Sequence, residues 1–222
     1  WSVVFLEKLS RNTRVSIIPK ILIENTNKII GLNRFSELLN AAKSTISEDI
    51  VIVREALEKV SMGKVETIAG AAGGIKFIPI MGEKEIKEFL DELCVLASEE
   101  GRVMAGEFLY VTDIMFNPSI ISKAAIILAT YFYGKGADYV ITVETKGIPL
   151  AYEVAKCLGV PMVTARRDSK VTEGSTVSIN YVSGTSKRIQ QMCLSRKSLK
   201  SGSKCIFICL LYTSPSPRDS TS

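Results

Sequence analysis

The chain has 222 residues, with 28 Lys and Arg against 23 Asp and Glu and a net charge of +5. Hydrophobic residues make up 46% and charged residues 23%, a globular composition that excludes an intrinsically disordered chain and suits one to two domains. Histidine is absent, which removes every His-based triad, His-ligated zinc and imidazole relay. Cys94, Cys157, Cys193, Cys205 and Cys209 form no CxxC pair and are expected as reduced, mostly buried thiols, not as a metal site. No apolar run approaches the ~18 residues of a transmembrane helix. The first ten residues lack the layout of a secretory signal, so the chain is expected in the cytoplasm and off the membrane.

The chain begins at Trp1, not Met, and the true start is expected near Leu6 or further upstream. Residues 14–30 predict a helix, with Val15, Ile18, Leu22 and Ile29 close to one face. Pro19 must sit in a first turn or bend that helix. A second, short helix is expected from Asn33, as N-cap, to Leu39. Thr45 and Glu48 read as a capping box that opens the third helix. Along it Ile46, Ile50, Val53, Leu57 and Val60 form one apolar stripe. After Gly63 the period changes. Residues 65–68 and 75–78 are β-branched and flank a Gly-rich stretch, which reads as a hairpin.

Three helices and a hairpin describe a winged helix-turn-helix, whose third helix enters the DNA major groove by its first residues. There Lys43 suits a phosphate, while Ser44, Thr45 and Ser47 suit phosphates or base edges. Lys64 and Lys76 on the hairpin are lesser phosphate candidates. Residues 1–82 hold 11 Lys and Arg against 8 Asp and Glu, a net of +3, so charge alone does not indicate DNA. The same residues would serve equally as a helix cap and a solvated surface. The hairpin tip is not GxxxxGK[ST] and precedes a strand, which argues against a nucleotide phosphate loop.

Residues 83–98 predict a helix with Ile86, Leu90, Leu93 and Ala97 on one face. A strand is expected at 108–111 and a helix from Pro118 to about Tyr133, ended by Gly134 and Gly136. A strand at 138–143, a loop at 144–147, a helix at 148–158 and a strand at 161–165 follow. This order implies a parallel sheet covered by helices. Ligands of such sheets bind beyond the carboxyl ends of the strands, where Thr145, Lys146 and Gly147 lie. Those three are either an anion loop or a plain turn. The polar stretch after Arg166 leads to short strands near 177–182 and 189–194 and reads as a lid or an exposed connection. Arg188, Arg196, Lys197, Lys200 and Lys204 form a basic cluster that faces either an anion or solvent. Residues 210–222 are Ser, Thr and Pro-rich and are expected to be a disordered tail, foreign to the reading frame.

Several segments resemble the purine operon repressors of Gram-positive bacteria: AKSTISEDI at 42–50, GAAGGIKFIP at 70–79, YVTDI at 110–114, TKGIPLAY at 145–152 and KVTEGSTVSINYVSG at 170–184. The likeness runs in order from about residue 7 to residue 204. It implies an α/β protein: a winged helix-turn-helix domain at 1–82, then an incomplete type I phosphoribosyltransferase-like, Rossmann-like domain at 83–208, with 209–222 a non-native tail. It implies a homodimeric repressor of purine synthesis and transport genes that binds double-stranded DNA in purine operon control regions. Phosphoribosyl pyrophosphate (PRPP), with Mg²⁺, is the implied effector. Thr145, Lys146 and Gly147 would take its pyrophosphate, and Lys170 and Tyr181 belong to the implied lid. No catalytic or metal-ligating residue of the chain is implied.

One departure stands out. The family follows its next strand with two acidic residues and a Gly-Gly-Thr loop for the ribose 5-phosphate. Here residues 204–208 lead into Cys209-Leu210-Leu211-Tyr212, so the main PRPP motif is missing. The shortened sheet is expected to expose Ile206, Phe207 and Ile208 as an apolar edge. The competing function is a purine phosphoribosyltransferase of nucleotide salvage, which has no need of a winged helix.

Overall fold

A computed structural model of the chain describes residues 7–104, 108–166, 174–182 and 189–209. It divides into two units. The first contains Trp1–Cys94 with Cys157–Gly159, and the second contains Val95–Lys156 with Val160–Ser222. The tail expected at 210–222 lies outside the described residues, as does Lys170.

The first unit begins with α1 (Arg11–Glu24), α2 (Leu32–Leu39) and α3 (Lys43–Lys59). The hairpin β1 (Lys64–Ile68) and β2 (Gly74–Ile78) follows, then α4 (Glu83–Ala97), which runs across the division. Ser10 caps α1 by accepting from the Thr13 amide at 3.2 Å. The helix stops at Glu24, short of the expected residue 30, because Asn27 takes a left-handed φ of 58° that no α-helix continues. Ile29 consequently lies in the connection, half exposed. Pro19 lies within α1.

The core of this unit is Ile18 and Leu22 of α1, Phe35 and Leu39 of α2, and Ile46, Ile50 and Val53 of α3, closed by Val65, Ile75 and Phe77 of the hairpin. The expected stripe of α3 runs as far as Leu57, and Val60 projects into solvent. One polar pair interrupts the apolar interior. Arg14 Nε donates to Asp49 Oδ2 at 2.6 Å and Nη2 to Oδ1 at 3.3 Å, tying α1 to α3. A third donor, Nη1, reaches the Leu9 carbonyl at 2.7 Å. Both side chains are buried.

The hairpin pairs Lys64 with Ile78 through Ile68 with Gly74. Ile30, just before α2, joins as a third partner: its amide donates to the Ile75 carbonyl and the Ile75 amide donates back, both at 2.9 Å. Gly74 is required there, since a Cβ would lie 2.3 Å from the Ile30 carbonyl oxygen. Arg54 of α3 donates to the Val65 carbonyl at 2.9 Å and to Thr67 Oγ1 at 2.7 Å, fixing the hairpin to the helix.

The second unit holds β3 (Val103–Met104), β4 (Phe108–Leu109), α5 (Thr112–Met115), α6 (Pro118–Thr130), β5 (Tyr139–Val143), α7 (Ile148–Leu158) and β6 (Met162–Ala165). It continues with β7 (Thr176–Val182), β8 (Ile189–Ser195) and β9 (Cys205–Phe207). Asn117 caps α6 through its Oδ1, and Pro118 occupies the first turn, where its missing N–H costs nothing. Strands β6, β5 and β9 form a parallel sheet in that order, with α7 as the crossover from β5 to β6. The antiparallel hairpin β7–β8 hooks onto its edge where Arg166 and Cys193 exchange backbone hydrogen bonds. The edge expected at 206–208 is only partly exposed. Phe207 is 54% exposed, whereas Ile206 and Ile208 are buried, because a strand alternates its faces and the amide of Ile208 still pairs with Ile141. The thiols also differ from expectation: Cys157 and Cys193 are buried, while Cys94 and Cys205 are exposed.

Arg102 anchors the start of this unit. Its Nη1 and Nη2 each donate to one oxygen of Asp113 at 2.9 Å, and Glu99 Oε2 and the Tyr110 carbonyl complete the shell. The Arg102 hydrogen bonds hold the Asp113 carboxyl below its usual range, and the same pair raises Arg102. A depressed carboxylate stabilises the fold above its unfolded pKa of ~4, and that contribution is lost as pH falls through the depressed value. Asp113→Asn is therefore expected to melt lower than the wild type at pH 7 and to converge with it in acid. Parallel melting curves at both pH extremes would contradict this. Among the described residues no helix is long and apolar enough to cross a membrane.

Candidate nucleic-acid interface and anion loop

Two helix starts meet the hairpin tip in one cleft. It holds about 360 Å³ and is lined by Gly31, Leu32 and Asn33 at the start of α2, Lys43 at the start of α3, and Gly70 and Gly73 of the tip. Neither helix has a side-chain cap: the N-cap positions are Gly31 and Ala42. This corrects two expectations, since neither Asn33 nor the Thr45–Glu48 pair caps a helix. The reason is long-range. Pairing of Ile30 with Ile75 holds the chain extended up to Gly31, so α2 starts at once at Leu32. Asn40, in the left-handed conformation, ends α2, and Ala41-Ala42 lead directly into α3. An uncapped start leaves N–H groups able to receive an anion, and the helix dipole adds to their pull. By contrast Ser10 takes one amide at the start of α1, and Asn117 takes two at the start of α6.

The candidate residues separate into two groups. Lys43 and Ser44 are exposed in the first turn of α3, and Thr45 is half-buried. Ser47 is exposed, but its hydroxyl donates to the Lys43 carbonyl at 2.9 Å, so toward a nucleic acid it can act only as an acceptor. Lys64 and Lys76 lie apart from the cleft, on the hairpin face turned away from the core, and both are ion-paired with Glu66. Sequence reasoning missed the Gly31–Asn33 wall of the cleft. Its signal was Gly31 itself, a poor side-chain cap directly before an apolar helix.

In the second unit Thr145, Lys146 and Gly147 form the turn from β5 into α7, at the carboxyl edge of the parallel sheet. Thr145 and Lys146 are exposed and Gly147 is buried. The Gly147 carbonyl closes the first turn of α7 by accepting from Ala151 at 3.0 Å. Glu144 and Arg166, at the ends of β5 and β6, approach to 3.8 Å at the same edge. Tyr181 has its backbone in β7, but its side chain, like Lys170, lies outside the described residues. No distance therefore joins either to the turn.

Residues 10–79 match the family model described as the N-terminal part of the bacterial purine repressor, and residues 115–208 match that of the phosphoribosyl transferase domain. Over 201 residues the chain is 45% identical to the purine biosynthesis transcriptional repressor PurR of Bacillus subtilis, covering 90% of this chain and 70% of that protein. The chain belongs to the PurR family. It is also 44% identical over 202 residues to a probable purine biosynthesis transcriptional regulator PurR of Streptococcus pneumoniae, covering 90% of this chain and 74% of that protein. A purine biosynthesis transcriptional activator PurR of Lactococcus lactis is 40% identical over 200 residues, covering 90% and 74%.

PurR membership resolves the choice left open by residue patterns. The chain is a DNA-binding regulator of purine genes, with a winged helix-turn-helix followed by a phosphoribosyltransferase-like α/β domain. The relatives that match over nine-tenths of its length bear the names of transcriptional regulators.

Proposed function

We propose that this PurR-family chain holds double-stranded DNA of purine operon control regions at the α2–α3–hairpin cleft and represses the genes it controls. The convergence of two uncapped helix starts and Lys43 on one cleft carries this reading, because a phosphodiester supplies the negative charge that all three lack. Ser44, Thr45 and Ser47 face the bases from the first turns of α3. Repression is the sign borne by the Bacillus relative's name. Residues 1–82 form the DNA-binding part and residues 83–208 the effector part. Two such chains act as a homodimer in the cytoplasm, each reading half of a site.

The effector is PRPP with Mg²⁺. What supports it is the turn at Thr145, Lys146 and Gly147, an exposed ammonium and a close-packed glycine at a helix start on the edge where such sheets receive ligands. Mg²⁺ would accompany the effector and offset the charge of its pyrophosphate.

The placement is tested with Lys43→Ala. Its affinity for purine control duplex and for unrelated duplex is expected to fall by similar factors, with a salt slope shallower by about one unit. Affinities and slope equal to the wild type's would remove Lys43 from the interface.

A further inference from the structure

Glu66 stands between two lysines on the outer face of the hairpin. Lys64 and Glu66 are two residues apart on β1 and so share a face, and Lys76 of β2 is Glu66's direct cross-strand partner. Each ammonium takes its own oxygen of the one carboxylate: Lys64 Nζ meets Oε1 at 2.9 Å and Lys76 Nζ meets Oε2 at 3.1 Å. All three side chains reach solvent, Lys64 the most. The opposite face of the same strands, Val65 and Phe77, is buried in the core. The hairpin is further tied to α3 by Arg54. The cradle therefore has a fixed backbone and moves with the DNA-reading helix.

A carboxylate and a phosphodiester present the same thing to such a cradle, two terminal oxygens that share one negative charge. We propose that Glu66 is an internal competitor for a DNA backbone phosphate, occupying the two hairpin ammonium groups that would otherwise receive it and so holding down the affinity of the wing. This rests on the DNA-binding reading of the first unit given above. The triad carries +1 as built and +2 once the carboxylate is neutral. Hydrogen bonds from Lys64 and Lys76 lower the Glu66 carboxyl from its usual pKa, and the bond to Glu66 raises Lys64, so the carboxylate is charged at neutral pH and the competition is in force under ordinary conditions.

The test is Glu66→Gln in the full chain, with Glu66→Thr as a second variant suited to a strand. Binding to a labelled duplex of about 30 base pairs, one of unrelated sequence and one from a purine control region, is followed by anisotropy across a salt series. Both variants are expected to bind both duplexes more tightly at low salt. Their slopes should steepen by about one to two units, so that between about 50 and 200 mM salt they lose about three- to twelvefold more affinity than the wild type. Adding Lys64→Ala and Lys76→Ala to either Glu66 variant should abolish the gain. A wild-type slope in both Glu66 variants, with folding verified by their melting curves, overturns the proposal and leaves the DNA reading intact. A wild-type chain that binds neither duplex overturns both.

Discussion

Asp49→Ala is expected to destabilise the first unit by about 3–5 kcal/mol, a large part of a domain's usual margin of about 5–15 kcal/mol. The carboxylate is 1% exposed and accepts two hydrogen bonds from an Arg14 side chain that is itself 7% exposed. Removing it leaves a guanidinium buried between α1 and α3 with the Leu9 carbonyl as its remaining acceptor among the contacts described above. Arg11, 3.6 Å from the same carboxylate but mostly solvent-exposed, loses little by comparison. The cost comes from an uncompensated charge and not from the pair's own attraction. Replacing both partners by leucine should accordingly recover most of the loss. Denaturant unfolding of the three variants, with amide exchange in α1 and α3 as the local readout, checks this. A loss below about 1 kcal/mol in Asp49→Ala would show that water or another acceptor reaches Arg14.

PRPP binding is expected to be weaker by two or more orders of magnitude in this chain than in a version whose residues after Ile208 carry the family's acidic pair and Gly-Gly-Thr loop. A phosphate-rich ligand needs converging amides and cations. On the proposed reading, Thr145, Lys146 and Gly147 supply one end of that arrangement. At the neighbouring strand, β9 ends at Phe207 and leads to Ile208 and Cys209, which offer no acidic pair for the ribose and no glycine amides for its 5-phosphate. Losing several charge-assisted bonds at ~1.5–3 kcal/mol each gives the stated drop. Isothermal titration of PRPP with Mg²⁺ into both chains decides it. Equal saturation of the two would mean that the site is built around Lys146 and the β7–β8 hairpin instead.

The elements of this protein were readable wherever a residue pattern acts locally. The apolar stripe of α3 and the Gly-rich hairpin identified the winged helix. The helix expected at 148–158 is α7 as found, bounded by two short strands that the parallel sheet requires. What escaped was set by contacts between distant segments. Asn33 and Thr45 are good capping residues by type, but the pairing of Ile30 with Ile75 moved the start of α2 to Leu32, and α3 begins at Lys43, two residues before Thr45. Arg14 reads as a surface charge until Asp49, 35 residues on, is brought against it. The engagement of Lys64 and Lys76 was closer to legible. Lys64 and Glu66 share a face by spacing, and only the hairpin register, which puts Lys76 opposite Glu66, was needed to complete the triad. The turn at residues 145–147 was legible from the order strand, turn, helix, while the choice between an anion loop and a plain turn was not. Its relation to Lys170 and to the Tyr181 side chain has no counterpart among the described residues.

The central claim is that purine control DNA is read from the first turn of α3. The most direct measurement is a binding titration of the Lys43→Ala, Thr45→Ala double variant against a purine control duplex and an unrelated one. The account expects weaker binding to both, because Lys43 meets phosphate, and a narrowed ratio between them, because Thr45 faces the bases. Wild-type affinity for both duplexes would place the DNA on another face of this protein.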